Sequence, residues 1–309
     1  MKGLVLKSTG SWYQILGEDG LEYRGRARGK LRLSNIKSTN PIAVGDDVLF
    51  DKEPNSQEED LVNIHTILDR RNYIIRKSNN LSKQTQIIAA NMDMVALVVT
   101  MAAPATSTGF IDRFLITAEA YHIPALVVFN KIDIYGELES ALLLEYERIY
   151  EKIGYDCLQV SAARGTNMHK LREKLANKTT LFSGHSGVGK STLLNALDAT
   201  ITQKTGAIST FSNKGKHTTT FAEMFLAEND SRLIDTPGIK DFGVVNVAKQ
   251  ELSHYFPEMR GLLQHCKFNN CLHLEEPGCA VLAAVESEEI EPSRYYSYLS
   301  ILNNEDIHH

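Results

Sequence analysis

Asn130-Lys131-Ile132-Asp133, Gly184-His185-Ser186-Gly187-Val188-Gly189-Lys190-Ser191 and Asp235-Thr236-Pro237-Gly238 follow one another in that order along the chain. The middle stretch decides the fold. It fits G-x4-G-K-S, comes after the run Thr180-Leu181-Phe182-Ser183 and precedes Thr192-Leu193-Leu194-Asn195-Ala196-Leu197, the strand, loop and helix setting that a phosphate-binding loop requires. Its glycines let successive N–H groups of Gly184 to Thr192 turn toward phosphate oxygens at a helix N-terminus. Lys190 would neutralise the β- and γ-oxygens, and the Ser191 hydroxyl would ligate Mg²⁺.

The first stretch follows the apolar run Ala125 to Phe129. A carboxylate at Asp133 can accept from both the N1–H and the exocyclic amine of guanine. Adenine offers an acceptor at N1 and nothing at C2, so a buried carboxylate there would be left unpaired and the site would select GTP over ATP. Ser161-Ala162-Ala163 ends the next strand and matches a loop that closes over guanine O6. Asp235 ends the run Arg232-Leu233-Ile234, where it would hold Mg²⁺ through water while the Gly238 N–H senses the γ-phosphate. An ordinary GTPase places the phosphate loop first and the base motif last. This G domain is therefore read as circularly permuted.

Ile239 stands where many GTPases carry a water-orienting Gln and cannot hydrogen-bond, so slow intrinsic hydrolysis is expected. Lys204 to Thr220 reads as a first switch. One of Thr218, Thr219 and Thr220 would cap Mg²⁺, and the sequence leaves open which. His217 is the candidate water-positioning group, with an exposed loop histidine as the competing reading.

Alternating strand and helix patterns from about 90 to 245 predict a parallel sheet with helices on both faces: strands 94–100, 125–129, 157–160, 180–183, 221–226 and 232–234, and helices 111–121, 138–153 and 168–175. Before residue 72, short strands at 3–7, 12–16, 21–33, 47–50 and 62–68 suit a small barrel. In Arg24-Gly25-Arg26-Ala27-Arg28-Gly29-Lys30-Leu31-Arg32 strict alternation puts five cations on one strand face. Either this is an edge strand kept soluble by charge, or it is a nucleic-acid surface with Trp12 and Tyr23 available for stacking, the reading favoured here. The net charge of -5 gives no global attraction to RNA, so binding must come from such patches.

Cys266, Cys271, His273 and Cys279 form a Cys3His set, a closed tetrahedral Zn²⁺ site of structural type. In a segment of little apolar content the metal would supply folding energy outright, holding Lys267, Phe268, Asn269 and Asn270 as a polar knuckle able to touch RNA. Cys157 stands apart between apolar neighbours and reads as a core residue. Hydrophobic content of 43% with 23% charged residues is ordinary for a soluble globular protein. No apolar run reaches the roughly 18 residues of a membrane span, and Leu4-Val5-Leu6 is too short for a signal-peptide core, so a cytoplasmic location is expected. Nothing in the pattern calls for more than a monomer.

Taken together, permuted G motifs followed by a Cys3His set resemble the RsgA (YjeQ) family of bacterial GTPases dependent on the small ribosomal subunit. The resemblance spans nearly the whole chain. It implies an N-terminal OB-fold at 1–72, a permuted P-loop GTPase domain at 73–245 and a helical zinc subdomain at 246–309. It also implies that Asn130 supports the base, that Lys131 lies over its face, and that the partners are the 30S subunit and 16S rRNA late in assembly, with hydrolysis as the release step. Two rivals remain: an RNA-binding GTP sensor whose turnover is incidental, and a permuted GTPase serving the large subunit or another RNA.

Overall fold

The run Met94–Val99 is buried at every position, the pattern of a strand inside a parallel sheet covered on both faces. The computed structural model describes residues 1–28, 41–53, 58, 60–77, 85–198, 201, 222–236 and 247–303. Five short strands come first: β1 Lys2–Ser8, β2 Tyr13–Gly17, β3 Glu22–Ala27, β4 Asp47–Lys52 and β5 Leu61–Ile67. They pair in the order β1-β2-β3-β5-β4, and β4 returns to β1, which closes an OB-like barrel. Alternate residues Val5, Tyr13, Ile15, Tyr23, Val48, Phe50, Val62 and Ile64 fill its interior, as period-2 side-chain direction dictates.

A hairpin of β6 Tyr73–Lys77 and β7 Thr85–Ala90 follows, which the sequence reading lacked. Ala89 of β7 makes a bridge to Val44 of the barrel and sits in the main core, so the hairpin is the plug between the two bodies.

The G-domain sheet runs β10-β9-β8-β11-β13-β12, with β8 Met94–Val99, β9 Ala125–Phe129, β10 Asp156–Gln159, β11 Thr179–Ser183, β12 Glu223–Leu226 and β13 Arg232–Asp235. Its pairs are parallel except β12 with β13. Strand pleating divides β8: Val95, Leu97 and Val99 face one core, and Met94, Ala96 and Val98 the other. On the first face lie α1 Thr108–Ala120 and α2 Glu137–Lys152, contributing Ile111, Phe114, Leu115, Leu143 and Tyr150. On the second lie α3 Met168–Leu175 and α4 Lys190–Leu197, contributing Met168, Leu171, Leu175, Leu193, Leu194 and Leu197. Helices on both faces were expected, and the 168–175 helix has the limits read from its Met168, Leu171, Leu175 spacing. Ser107 caps α1 by accepting from the Phe110 N–H.

The barrel continues the same sheet, because β1 pairs antiparallel with β12 at Lys7 and Glu223, whose side chains form a 2.9 Å ion pair. The C-terminal module contributes α5 Pro257–Arg260, α6 Ala280–Glu286 and α7 Pro292–Leu302. It has an apolar core of its own, with Leu252, Phe256, Met259, Val281, Ala284, Ile290, Tyr298 and Leu302 packed around Ile116 of α1. The expectation of a segment with little apolar content is corrected: the helices bury a core, to whose edge the 266–279 loop adds Cys266, Cys271 and Cys279. Among the described residues no helix is long and apolar enough to cross a membrane.

Candidate nucleotide site and metal centre

From β8 the chain moves outward to β9 and β10, then returns to place β11 on the other side of β8. A crevice opens at such a reversal beyond the carboxyl ends of the strands, the place where open α/β sheets bind ligands. Gly184–Ser191 leaves the end of β11 there, and Asn130–Asp133 leaves the end of β9.

The two loops are joined directly. Asn130 is buried, its Nδ2 donates to Val188 O at 2.9 Å, and its Oδ1 accepts from Ala162 N at 3.1 Å. One side chain thus connects the base motif, the phosphate loop and the Ser161-Ala162 loop. Lys131 adopts a left-handed backbone (φ 66°), and Nζ donates to Ala103 O at 2.6 Å. Ser161 donates its hydroxyl to Asp133 and accepts from Arg164 N at 3.1 Å. Asp133 itself is exposed, which corrects the expectation of a buried carboxylate: burial there would have to come from a bound ligand.

Gly184 (φ 144°) and Gly189 (φ 92°) hold the phosphate loop in conformations that side chains resist, and a Cβ on Gly189 would stand 2.5 Å from Asn130 Nδ2. Val188 is buried in the second core. Lys190 begins α4 with its ammonium turned back onto the Gly184 and His185 carbonyls, and Ser191 and Thr192 are exposed at the same helix start. Ser186 and Gly187 are exposed too, and Pro104 Cδ lies 3.2 Å from where a Gly187 Cβ would be. The His185 ring stacks on Phe110 of α1, centroids 3.7 Å apart.

Asp235 ends β13 beside this helix start. Burial pushes its carboxyl up to about 6 against the pull of Lys190, and its Oδ1 is buried without a hydrogen-bond partner. An orphaned carboxylate oxygen at the end of β13, within electrostatic reach of Lys190 at the start of α4, fits a divalent cation. Asp235 therefore weakens the empty protein. A carboxyl whose folded value lies above its unfolded one favours the fold fully below about pH 4, and that contribution is lost as pH rises through about 6. Asp235→Asn should raise nucleotide-free stability by about 1–3 kcal/mol at pH 7.5 and change it little at pH 4, read from melting temperatures across that range. Gly238, Ile239, His217, Thr218, Thr219, Thr220 and the rest of 204–220 lie outside the described residues.

In the C-terminal module the four candidate ligand atoms of Cys266, Cys271, His273 and Cys279 all lie within 4.8 Å of one another. His273 Nδ1 is 3.3 Å from Cys279 Sγ and 3.7 Å from Cys266 Sγ. Ligands about 2.3 Å from one tetrahedral ion stand about 3.8 Å apart, so the set fits a metal of zinc type. The surrounding chain is braced: Glu276 accepts from Leu272 N and Leu274 N at 2.7 Å, and Tyr295 and Tyr298 donate to His273 O and Leu272 O at 2.7 Å. Lys267, Phe268, Asn269 and Asn270 are exposed at its tip, with the Lys267 ammonium 5.5 Å from the Phe268 ring centroid.

The residues 67–245 match the family model described as RsgA GTPase, and residues 2–58 match the one described as RsgA N-terminal domain. The chain belongs to the RsgA GTPase family. It is similar to the small ribosomal subunit biogenesis GTPase RsgA of Christiangramia forsetii, 52% identical over 306 residues covering 99% of this chain and 97% of that one. To the protein of the same name from Flavobacterium johnsoniae it is 53% identical over 313 residues, covering 100% and 95%. Among solved structures it resembles YjeQ from Thermotoga maritima (TM-score 0.76, 32% identity, 98% and 97% covered) and YloQ, described as a circularly permuted GTPase (TM-score 0.73, 29% identity, 98% and 94% covered). The strand order derived above is the permuted arrangement that the motif order requires.

On the barrel of this RsgA-family chain the described part of the basic stripe is Arg24, Arg26 and Arg28. Strand β3 ends at Ala27; Arg24, Arg26 and Arg28 are exposed, while Lys30 and Arg32 lie outside the described residues. Arg24 pairs with Glu58 and Asp60, and Arg26 pairs with Glu53. Trp12 is exposed with the Arg26 and Arg24 guanidinium groups 4.9 and 5.9 Å from its ring centroid. Tyr23 is buried against Phe50, which corrects its reading as a stacking platform: alternation on β3 turns it inward. Cys157 is half-buried with its thiol pushed up to about 12 by burial, an inert core residue as read.

Proposed function

We propose that this GTPase assists late maturation of the small ribosomal subunit, with slow intrinsic hydrolysis that docked 30S particles stimulate and that releases the protein. The relatives' names support the subunit, and the Asn130–Val188 bond joining the base and phosphate loops is the observation that carries nucleotide binding at this crevice. The working division is an OB-fold at 1–72, the G domain at 73–245 and a zinc domain at 246–309. Gly184 to Thr192 would cradle the phosphates and Asn130, Lys131, Ile132, Asp133, Ser161 and Ala162 the guanine. Ser191 and Asp235 would hold Mg²⁺, which supplies charge neutralisation at the γ-phosphate, and Cys266, Cys271, His273 and Cys279 would hold one structural Zn²⁺. Lys190 would swing from the loop carbonyls to the phosphates, exchanging neutral acceptors for charged ones. His217 would orient the attacking water. The 16S rRNA would meet the Trp12 face of the barrel and the Lys267 knuckle, in the cytoplasm and as a monomer.

GTP hydrolysis should rise strongly with 30S subunits and not with 50S subunits, and His217→Ala should cut the stimulated rate about 10²-fold with nucleotide binding kept. Slow turnover indifferent to both subunits would sink this reading in favour of the GTP sensor; stimulation by 50S alone would favour the large-subunit rival.

A further inference from the structure

We infer that Tyr135 is a positioning residue for guanine recognition, an inference that rests on the base-site reading above. Asp133 is exposed and sits in the one-turn 3-10 helix Ile132–Ile134, so packing does not fix where its carboxylate points. One carboxylate oxygen accepts from the Ser161 hydroxyl, and the turn that carries it is set by anchors on either side. Upstream, Asn130 is locked by its N–H to Val99 O at 2.9 Å and by its amide to Val188 and Ala162. Downstream, the half-buried Tyr135 sends its hydroxyl back to the same loop: it donates to Asn130 O at 2.5 Å and accepts from Met101 N at 2.9 Å.

That hydroxyl bridges two segments. Met101 opens the 101–107 loop, whose Ala103 O holds the Lys131 ammonium, and Pro104 lies against Gly187 of the phosphate loop. Thr100 and Thr106 fasten the base of that loop, through Thr106 N to Thr100 O at 2.8 Å and Thr100 N to Thr106 Oγ1 at 3.2 Å. Tyr135 therefore ties the turn carrying Asp133 to a loop registered on the phosphate site. Without the hydroxyl, two backbone groups lose their partner, and the turn keeps only the Ile132 N–H to Val160 O bond at 3.3 Å and the Ser161 bond to Asp133. Recognition groups displaced by about an ångström lose much of what their placement contributes.

Inosine lacks the exocyclic amine, so the ratio of GTP to ITP affinity reads how well Asp133 is placed. Tyr135→Phe should weaken GTP about tenfold and ITP less than about threefold, shrinking the ratio, with kcat at saturating GTP unchanged. Tyr155→Phe removes a hydroxyl that donates to Glu119 at 3.3 Å in the same core and should leave the ratio alone. Melting curves of both variants check folding. Asp133→Asn should exchange GTP for XTP, whose C2 carbonyl suits an amide; failure there overturns the base-site reading. If that exchange occurs while Tyr135→Phe keeps the parental ratio, or lowers GTP and ITP equally, the positioning role is overturned.

Discussion

Arg294→Ala should cost about 3–5 kcal/mol, the penalty for breaking a buried ion pair from one side. Arg294 is 1% exposed, its guanidinium donates to Asp112 Oδ1 at 2.6 Å and to both oxygens of Glu258 at 2.7 and 3.2 Å, and it lies 4.9 Å from the Phe256 ring centroid. Asp112 on α1 is fully buried and accepts from Tyr150 of α2 at 2.9 Å. One side chain of α7 thus joins the C-terminal module to two helices of the G domain. Burial already pushes the Asp112 carboxyl up, with Arg294 pulling against it. In the variant that pull is gone, so Asp112 either stays charged and unpaired or takes a proton. The loss should accordingly be largest at high pH and ease as pH falls, because a raised folded value favours the fold only where the carboxyl is protonated. Calorimetry should show the C-terminal transition moving down and separating from the rest. Asp112→Leu, Glu258→Leu and Arg294→Met together should recover much of it, since a shape-matched apolar replacement leaves no orphan charge. Recovery absent, and no pH dependence, would assign the loss to packing alone. The rim pairs Arg148–Glu291 and Arg260–Glu119 join the same surfaces, but Arg148 and Arg260 are more than half exposed, so solvent screens both pairs and they add little.

The helix that holds this seat also reaches the phosphate loop: the first turn of α1 stacks Phe110 on His185, and its middle carries Asp112 and Ile116 into the C-terminal module.

What the sequence disclosed depended on locality. The phosphate loop, base motif and Cys3His set are contiguous or nearly so, and their spacing carries their chemistry. The parallel strands showed as short apolar runs such as MVALVV, and α3 showed its limits through helical spacing. The hairpin of β6 and β7 was hidden because its Ile87-Ile88 and Ile74-Ile75 pairs break period-2 alternation, and its burial comes from the barrel bridge at Val44. Arg294 and Asp112 look like solvated helix charges until partners from distant segments enclose them. Tyr23 and Tyr135 make the converse point. The first was assigned outward where strand register turns it inward, and the second gave no signal because its partners, Asn130 O and Met101 N, are backbone atoms.

Removing the metal should injure the same module in a different place. The loop 266–279 has few apolar anchors: Phe268 and Leu274 are exposed, and its order rests on the ligand cluster, the Glu276 bonds and the two tyrosine hydroxyls of α7. Cys279 has a second task, since its sulfur accepts from Leu282 N at 3.4 Å as the N-cap of α6. Chelation, or Cys279→Ser, should therefore erase hydrogen-exchange protection across 262–286, a change of several kcal/mol in local stability. The seat at Arg294 and the part of the core around Phe256 and Met259 should stay protected, because Arg294 bonds to Asp112 and Glu258 rather than to the ligand cluster, while Cys279, Val281 and Ala284 at the border of that core lose theirs. GTP affinity should change less than about threefold, since the candidate ligand atoms cluster with one another, within 4.8 Å, in the C-terminal module. Protein as purified should release about one zinc per chain on thiol modification, with the loss of protection tracking the release. Unchanged exchange after chelation would mean that the loop holds itself without metal. Collapse of the Phe256 core along with the loop would mean that metal and ion pair are one cooperative unit, and Arg294→Ala would then release the metal as well.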